Sequence, residues 1–242
     1  MKLILFLLTA GKLGKVATTA FTMLLSIGVY ALAFGWQYAV GFVALLFFHE
    51  MGHFYAARQR GLAVGAPTFI PFVGAWIQLK EQPMNVETEA HVALAGPIAG
   101  TLAAIACFFA ARATDEPVLL ALAYSGFLLN LVNLLPISPL DGGRITAILS
   151  PRVWLLGAPM LVGLFFVWPS PMLVVIAVLA LPFLWRAFRF DPKAPENARY
   201  YESSLAQKLE YGAWYLGLAA FLAIMTYDLH EELSTLVRMP KL

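Results

Sequence analysis

Apolar positions in this chain do not alternate with polar ones. They run on in unbroken stretches of a length that only a lipid-crossing helix requires. Crossing ~30 Å of hydrocarbon at ~1.5 Å per residue takes about 20 apolar residues. On that scale the sequence predicts spans at about 17–34, 37–57, 90–111, 117–136, 153–168, 171–188 and 211–228. The fifth and sixth are short and joined by Trp168-Pro169-Ser170-Pro171, which also fits one helical hairpin that stops short of a full crossing. Leu3 to Leu8, behind Lys2, resembles the start of an export signal. No small-residue cleavage site follows, however, and Lys12 and Lys15 come next, so an uncleaved interfacial segment leading into the first span is expected.

Residues 58–89 break this rhythm. Gly61, Gly65, Pro67, Pro71 and Gly74 interrupt helices, while Thr68 to Leu79 is rich in aromatic and β-branched residues. Non-helical backbone at membrane depth survives only where protein or a cavity satisfies it, so a small β-hairpin or re-entrant segment is expected here. The predicted fold class is therefore an all-α polytopic membrane protein of about six to seven transmembrane helices with that one small hairpin. Residues 1–190 form its core; residues 191–242 read as a polar linker followed by a C-terminal transmembrane helix. Ser204 and Gln207 have the spacing of a capping box at the start of that helix. Tyr200, Tyr201, Tyr211, Trp214 and Tyr215 suit an interfacial aromatic belt.

Composition agrees. The chain is 61% hydrophobic and 12% charged, about half the ~25% charged content of soluble domains. A net charge of +2 without a basic stripe argues against a nucleic-acid partner. The single cysteine, Cys107, excludes an intramolecular disulfide and reads as a packing residue. With the N-terminus inside and seven alternating spans, 13 of the Lys and Arg residues fall on the inner side and 3 on the outer. That asymmetry predicts a cytosolic inner face, and it puts the exits of the second and fourth spans on it.

The second span carries polar groups that a bilayer tolerates only when they are paired or coordinated. His49 and His53 lie four residues apart, on one helix face, so both imidazoles can reach one metal ion. Glu50 points close to the same face and can serve as base toward a metal-activated water. A catalytic zinc takes three protein ligands, and the best distant candidate is Asp141, in the run Asn133 to Gly143. There Pro136 and Pro139 end the fourth helix, and Gly142 and Gly143 would let the backbone pass close to a ligand. Two histidines, an aspartate and Zn²⁺ carry a formal charge of +1, which a hydroxide would neutralise in a low-dielectric site.

Together, His-Glu-x-Gly-His at 49–53, Gly-Pro-Ile-Ala-Gly at 96–100 and Asn-x-x-Pro-x-x-Pro-Leu-Asp-Gly at 133–142 resemble the site-2 protease family of intramembrane zinc metalloproteases. The motifs occur in that family's order, within about residues 30–150. The resemblance implies one Zn²⁺ held by His49, His53 and Asp141, Glu50 as general base, and Asn133 stabilising the oxyanion. It also implies a membrane-protein substrate cleaved in or beside its transmembrane helix, in the plasma membrane, with the site opening toward the cytosol. Nothing in the sequence is long or polar enough to be the PDZ domain or CBS pair that many family members carry. The glycine motif ends in Gly100, where the family often has an asparagine.

Other readings are weaker. Zincins whose third ligand is a glutamate from a later helix would need an acidic residue in those spans, and none is suitably placed. A catalytically silent, helix-binding scaffold or chaperone would have no use for Glu50. A metal transporter would need polar residues through both halves of several spans. His91, beside Glu87 and Glu89, reads as an interfacial residue. His230 reads as lying on the opposite side from the motif. Asn130 shares a helix face with Asn133 without an assigned role, and Gly96 and Gly100 read as packing positions.

Overall fold

A computed structural model describes residues 2–71, 74–76 and 83–238. Its elements, in order, are α1 (Lys2–Phe34), α2 (Trp36–Gln59), β1 (Thr68–Ile70), β2 (Gly74–Trp76), α3 (Val86–Thr114), α4 (Pro117–Asn133), α5 (Asp141–Thr146), a 3-10 turn (Pro151–Val153), α6 (Trp154–Val167), α7 (Pro171–Phe188), α8 (Pro195–Tyr200) and α9 (Leu205–Arg238). The molecule is an all-α polytopic membrane protein with a single two-stranded sheet among its described residues. Five helices (α1, α2, α3, α7 and α9) contain segments long and apolar enough to cross a bilayer. Two shorter apolar helices, α4 and the segment ending in α6, accompany them. The 14 residues of α6 reach only about 21 Å at helical rise, short of the hydrocarbon thickness.

Local chemistry sets the breaks. Gly35 separates α1 from α2 at φ 84, a left-handed conformation that glycine adopts without a Cβ clash. The chain then folds back, so that Tyr30 and Phe42 meet edge to face with centroids 5.3 Å apart. Asn85 caps α3 by accepting a hydrogen bond from the Thr88 N–H, and Glu87 and Glu89 follow in its first turn, where the helix dipole favours anions. Asp115 ends α3 at φ 56, and Pro117 opens α4 two residues later. The capping box at α9 is formed as expected: Ser204 N–H donates to Gln207 Oε1 at 2.9 Å, and Gln207 N–H donates to Ser204 Oγ at 3.2 Å.

Several expectations are revised. The N-terminal segment is continuous with the first span as one helix, since no proline lies between Leu3 and Phe34. The fourth helix ends at Asn133 rather than 136. The linker after Asp191 holds a short helix, α8, with Pro195 at its start. The aromatic belt is partly turned inward: Tyr211 OH donates to Glu87, Tyr200 OH to Glu89, and Tyr215 OH to the Leu134 carbonyl, while Trp214 stays exposed.

In the hairpin, Thr68, Phe69 and Ile70 of β1 lie opposite Trp76, Ala75 and Gly74 of β2. The outer edge of β1 is covered by α1. Phe69 N–H donates to Thr22 Oγ1 at 3.3 Å, and Thr19 Oγ1 donates to the Pro67 carbonyl at 2.7 Å. Residues 72–73 and 77–79 of the predicted strand segment lie outside the described residues, as do Lys80 and Lys241 of the charge count.

The main core joins α3, α4, α5 and α9, with Phe127, Ile145, Leu222 and Leu229 fully buried. This core fixes α5 against the start of α3. A smaller cluster of Tyr30, Val43, Leu46 and Phe69 packs the hairpin against α1 and α2.

Candidate metal centre

His49 and His53 project from the same face of α2, and each is held by its Nδ1. Asn130 of α4 donates its Nδ2–H to the Gly126 carbonyl at 2.7 Å, which fixes the amide and turns Oδ1 toward His49 Nδ1 at 2.8 Å. An amide oxygen can only accept, so His49 Nδ1 carries the hydrogen. His53 Nδ1 lies 2.8 Å from the Val92 carbonyl of α3 and must donate as well. In both neutral imidazoles the Nε2 lone pair is then the free one, as metal ligation requires.

Those lone pairs converge. The two Nε2 atoms are 3.1 Å apart, and Asp141 Oδ2 is 3.2 Å from each. Three acceptors this close repel unless a cation or a shared proton sits among them. A tetrahedral ion with ligands at ~2.0–2.1 Å would set its ligand atoms about 3.3 Å apart, so the triangle fits a zinc-sized ion. Among the described residues this is the sole cluster of three or more His, Cys, Asp or Glu whose ligand atoms meet, and all three residues are buried.

Asp141 reaches this point because α4 stops at Asn133 and the chain turns through residues 134–140 into α5. The turn is braced by the Trp154 Nε1–H, which donates to the Gly143 carbonyl at 2.7 Å, and by the Tyr215 bond to Leu134. Gly142 and Gly143, expected to let the backbone pass close to a ligand, are packed against the turn's own backbone. A Cβ on them would lie 2.2 Å from the Leu134 carbonyl oxygen and 2.2 Å from Ser138 N, so they admit the turn's own backbone.

Glu50 is only 5% exposed and has no hydrogen-bond partner among the described residues. It lies in the neighbourhood of His53, His49, Asp141 and Arg144. Asn133 is the last residue of α4, half-buried, and likewise makes no side-chain hydrogen bond with the described residues. The amide that touches the centre is Asn130, which the sequence left without a role.

Gly96 and Gly100 also do more than pack helices. A Cβ on Gly96 would lie 2.2 Å from His53 Nε2, and one on Gly100 would lie 2.5 Å from Asn130 Oδ1. The space that an asparagine at 100 would take is thus filled from α4 by Asn130. The spacing of these glycines could have signalled a cradle, but only the fold shows what each one cradles. His91 is half-buried at the start of α3 and outside the cluster. His230 lies on α9, its ring edge-on to Trp168 and its Nδ1 3.4 Å from Tyr124 OH.

Around the cluster runs a second layer of charge. Arg144 pairs with Asp141 Oδ1 at 3.6 Å and with Glu89 Oε1 at 3.4 Å. Arg60, at the end of α2, makes a two-pronged bond to Glu87 at 2.7 and 2.8 Å. Burial and the Glu89 charge push the Tyr200 hydroxyl above its usual range, so it stays protonated as a donor.

Residues 37–115 match the model of peptidase family M50, the site-2 protease family. That match covers 79 of the chain's 242 residues. The M50 match contains His49, Glu50, His53 and the glycines at 96 and 100, but not Asn133 or Asp141. The chain is 32% identical over 110 residues to a zinc metalloprotease of Methanocaldococcus jannaschii, covering 43% of this chain and 32% of that protein. It is 35% identical over 115 residues to a Mycobacterium tuberculosis protein provisionally named a zinc metalloprotease, covering 44% of this chain and 29% of that one. The chain thus spans about a third of the length of these relatives. The solved site-2 protease of M. jannaschii aligns with a TM-score of 0.44 and 21% identity, over 71% of this chain and 87% of that one.

Proposed function

We propose that this protein is a zinc-dependent intramembrane endopeptidase that hydrolyses a peptide bond in or near a transmembrane segment of another membrane protein. The observation that carries the reading is the meeting of three buried acceptors, His49 Nε2, His53 Nε2 and Asp141 Oδ2, at 3.1–3.2 Å. Their hydrogens are already committed elsewhere, and a buried glutamate stands beside them. When bound, zinc supplies Lewis acidity and a water activated toward neutral pH.

The chain's own residues do the rest. His49, His53 and Asp141 hold the ion, with Asn130 and the Val92 carbonyl fixing the two ring orientations. Glu50 takes the proton from the attacking water and returns it to the leaving amine. Asn133 donates its amide to the developing oxyanion. The positive-inside bias supports a site that opens toward the cytosol in a plasma membrane.

A substrate helix hides its scissile carbonyl in its own hydrogen bonds, so it must unwind, and the hairpin offers an edge to receive it. Phe69 N–H turns away from β2 toward Thr22, so the opposed pair Phe69 and Ala75 is not mutually hydrogen-bonded. Ala75 N–H and C=O therefore face outward on β2, ready to pair with an extended segment.

The test compares membrane proteomes of cells carrying the wild type and Glu50→Gln. Single-span fragments should accumulate with the variant, while the purified variant keeps its zinc. Unchanged processing of every membrane protein would end the protease reading and leave the helix-binding scaffold as the alternative.

A further inference from the structure

The two oxygens of Asp141 serve different partners. Oδ2 faces the histidine pair at 3.2 Å, whereas Oδ1 faces Arg144 Nη1 at 3.6 Å. Arg144 lies one turn along α5, and its Nε lies 3.4 Å from Glu89 Oε1 in the first turn of α3. The other oxygen of Glu89 accepts the hydroxyl of Tyr200, the last residue of α8. One line of contacts thus runs from the C-terminal part of the chain through α3 and α5 to the carboxylate that completes the metal cluster.

We propose that Arg144 is a positioning residue for this centre. By engaging Oδ1 it restricts Asp141 to ligation through Oδ2 alone, and Glu89, anchored by Tyr200, fixes the guanidinium. The inference rests on the zinc reading above. A carboxylate with both oxygens free can chelate an ion through both, and the second oxygen would take the position that a catalytic water needs. Arg144 alone would set a cation beside a dication. Glu89 cancels that charge, so the relay orients Asp141 without changing the charge of the site. Partners of metal-ligating groups typically influence affinity by 10–100-fold. An ordinary surface ion pair contributes little and would leave the metal untouched.

The experiment uses the full chain purified in detergent, loaded with Zn²⁺ for affinity by chelator competition and with Co²⁺ for its d–d spectrum. Asp141→Ala should lose stoichiometric metal. Arg144→Gln should still fill with one ion at saturation but bind zinc about 10–100-fold more weakly. Its Co²⁺ bands should lose intensity, because the freed Oδ1 raises coordination from four to five. Arg144→Lys should recover part of both. Tyr200→Phe should weaken zinc by about threefold to tenfold, as for one lost hydrogen bond, and should add nothing in the Arg144→Gln background. These near-isosteric changes keep the test decisive if Arg144→Gln does not fold. Wild-type affinity and spectrum in Arg144→Gln, with metal lost in Asp141→Ala, would overturn the positioning role alone. A wild type that takes up no stoichiometric metal would overturn the zinc reading, and this inference with it.

Discussion

At the residue scale the centre depends on side chains that never touch the metal. Gly96 is the most exposed to test. Its hydrogen faces His53 Nε2, and a Cβ there would sit 2.2 Å away. His53 cannot swing aside freely, because its Nδ1 is bound to Val92 and the ring is buried. Gly96→Ala is therefore expected to push Nε2 out of the triangle and weaken zinc by at least about tenfold, the scale of a disturbed ligand orientation. Bound zinc in the purified variant measures this. The residue pattern nominated the histidine pair, since i and i+4 share a helix face whatever surrounds them. It could not show that Asn130 rather than a residue at 100 supplies the orienting amide, because that contact links positions 81 residues apart.

At the scale of elements, the hairpin is where composition and structure agree in kind and differ in extent. Aromatic and β-branched residues predicted strand from Thr68 on, and two strands of three residues form. Among the described residues, α1 supplies Thr19 and Thr22 to the β1 edge, which leaves the β2 edge for a partner. Ala75→Pro tests that edge. Proline is tolerated where the N–H is not part of the ladder, so the fold and the zinc content should persist. Cleavage of a membrane substrate in reconstituted vesicles should nevertheless slow several-fold, about what one lost backbone hydrogen bond at ~1 kcal/mol implies. An unchanged rate with zinc intact would remove strand addition from the mechanism. Helix ends were less legible than helix centres. Between Thr114 and Pro117 the Asp115 turn and proline mark the boundary clearly. By contrast, α9 runs on well beyond its apolar stretch because polar residues with good helix propensity continue it.

For the whole molecule, a metal held by His49, His53 and Asp141 would join parts that are far apart in sequence. It would tie α2, near the start of the M50 match, to α5, beyond the end of that match. Removing it should therefore loosen the fold as well as stop the chemistry. A ligand that binds only the folded state stabilises it by about 4 kcal/mol when free ligand stands at ~1,000 times its Kd. Stripping the purified protein with a strong chelator is expected to lower its melting temperature by several degrees and abolish cleavage, and both should return with added Zn²⁺. A melting temperature indifferent to zinc would mean that the ion does not bridge α2 and α5.

The sequence by itself determined the membrane class, the approximate spans and the histidine pair with its glutamate. These depend on length, hydropathy and helical period, which are local properties. It also nominated Asp141, but through a motif, and no spacing along the chain places an aspartate 88 residues beyond His53. Only the tertiary structure decided that Asp141 Oδ2 meets both imidazoles, that Asn130 orients one of them, that Gly96 makes room for the other, and that Arg144 holds the remaining oxygen. Each of those contacts depends on how α2, α3, α4 and α5 pack around their shared core. Close packing is a property of the assembled helices, and no single one of them carries it.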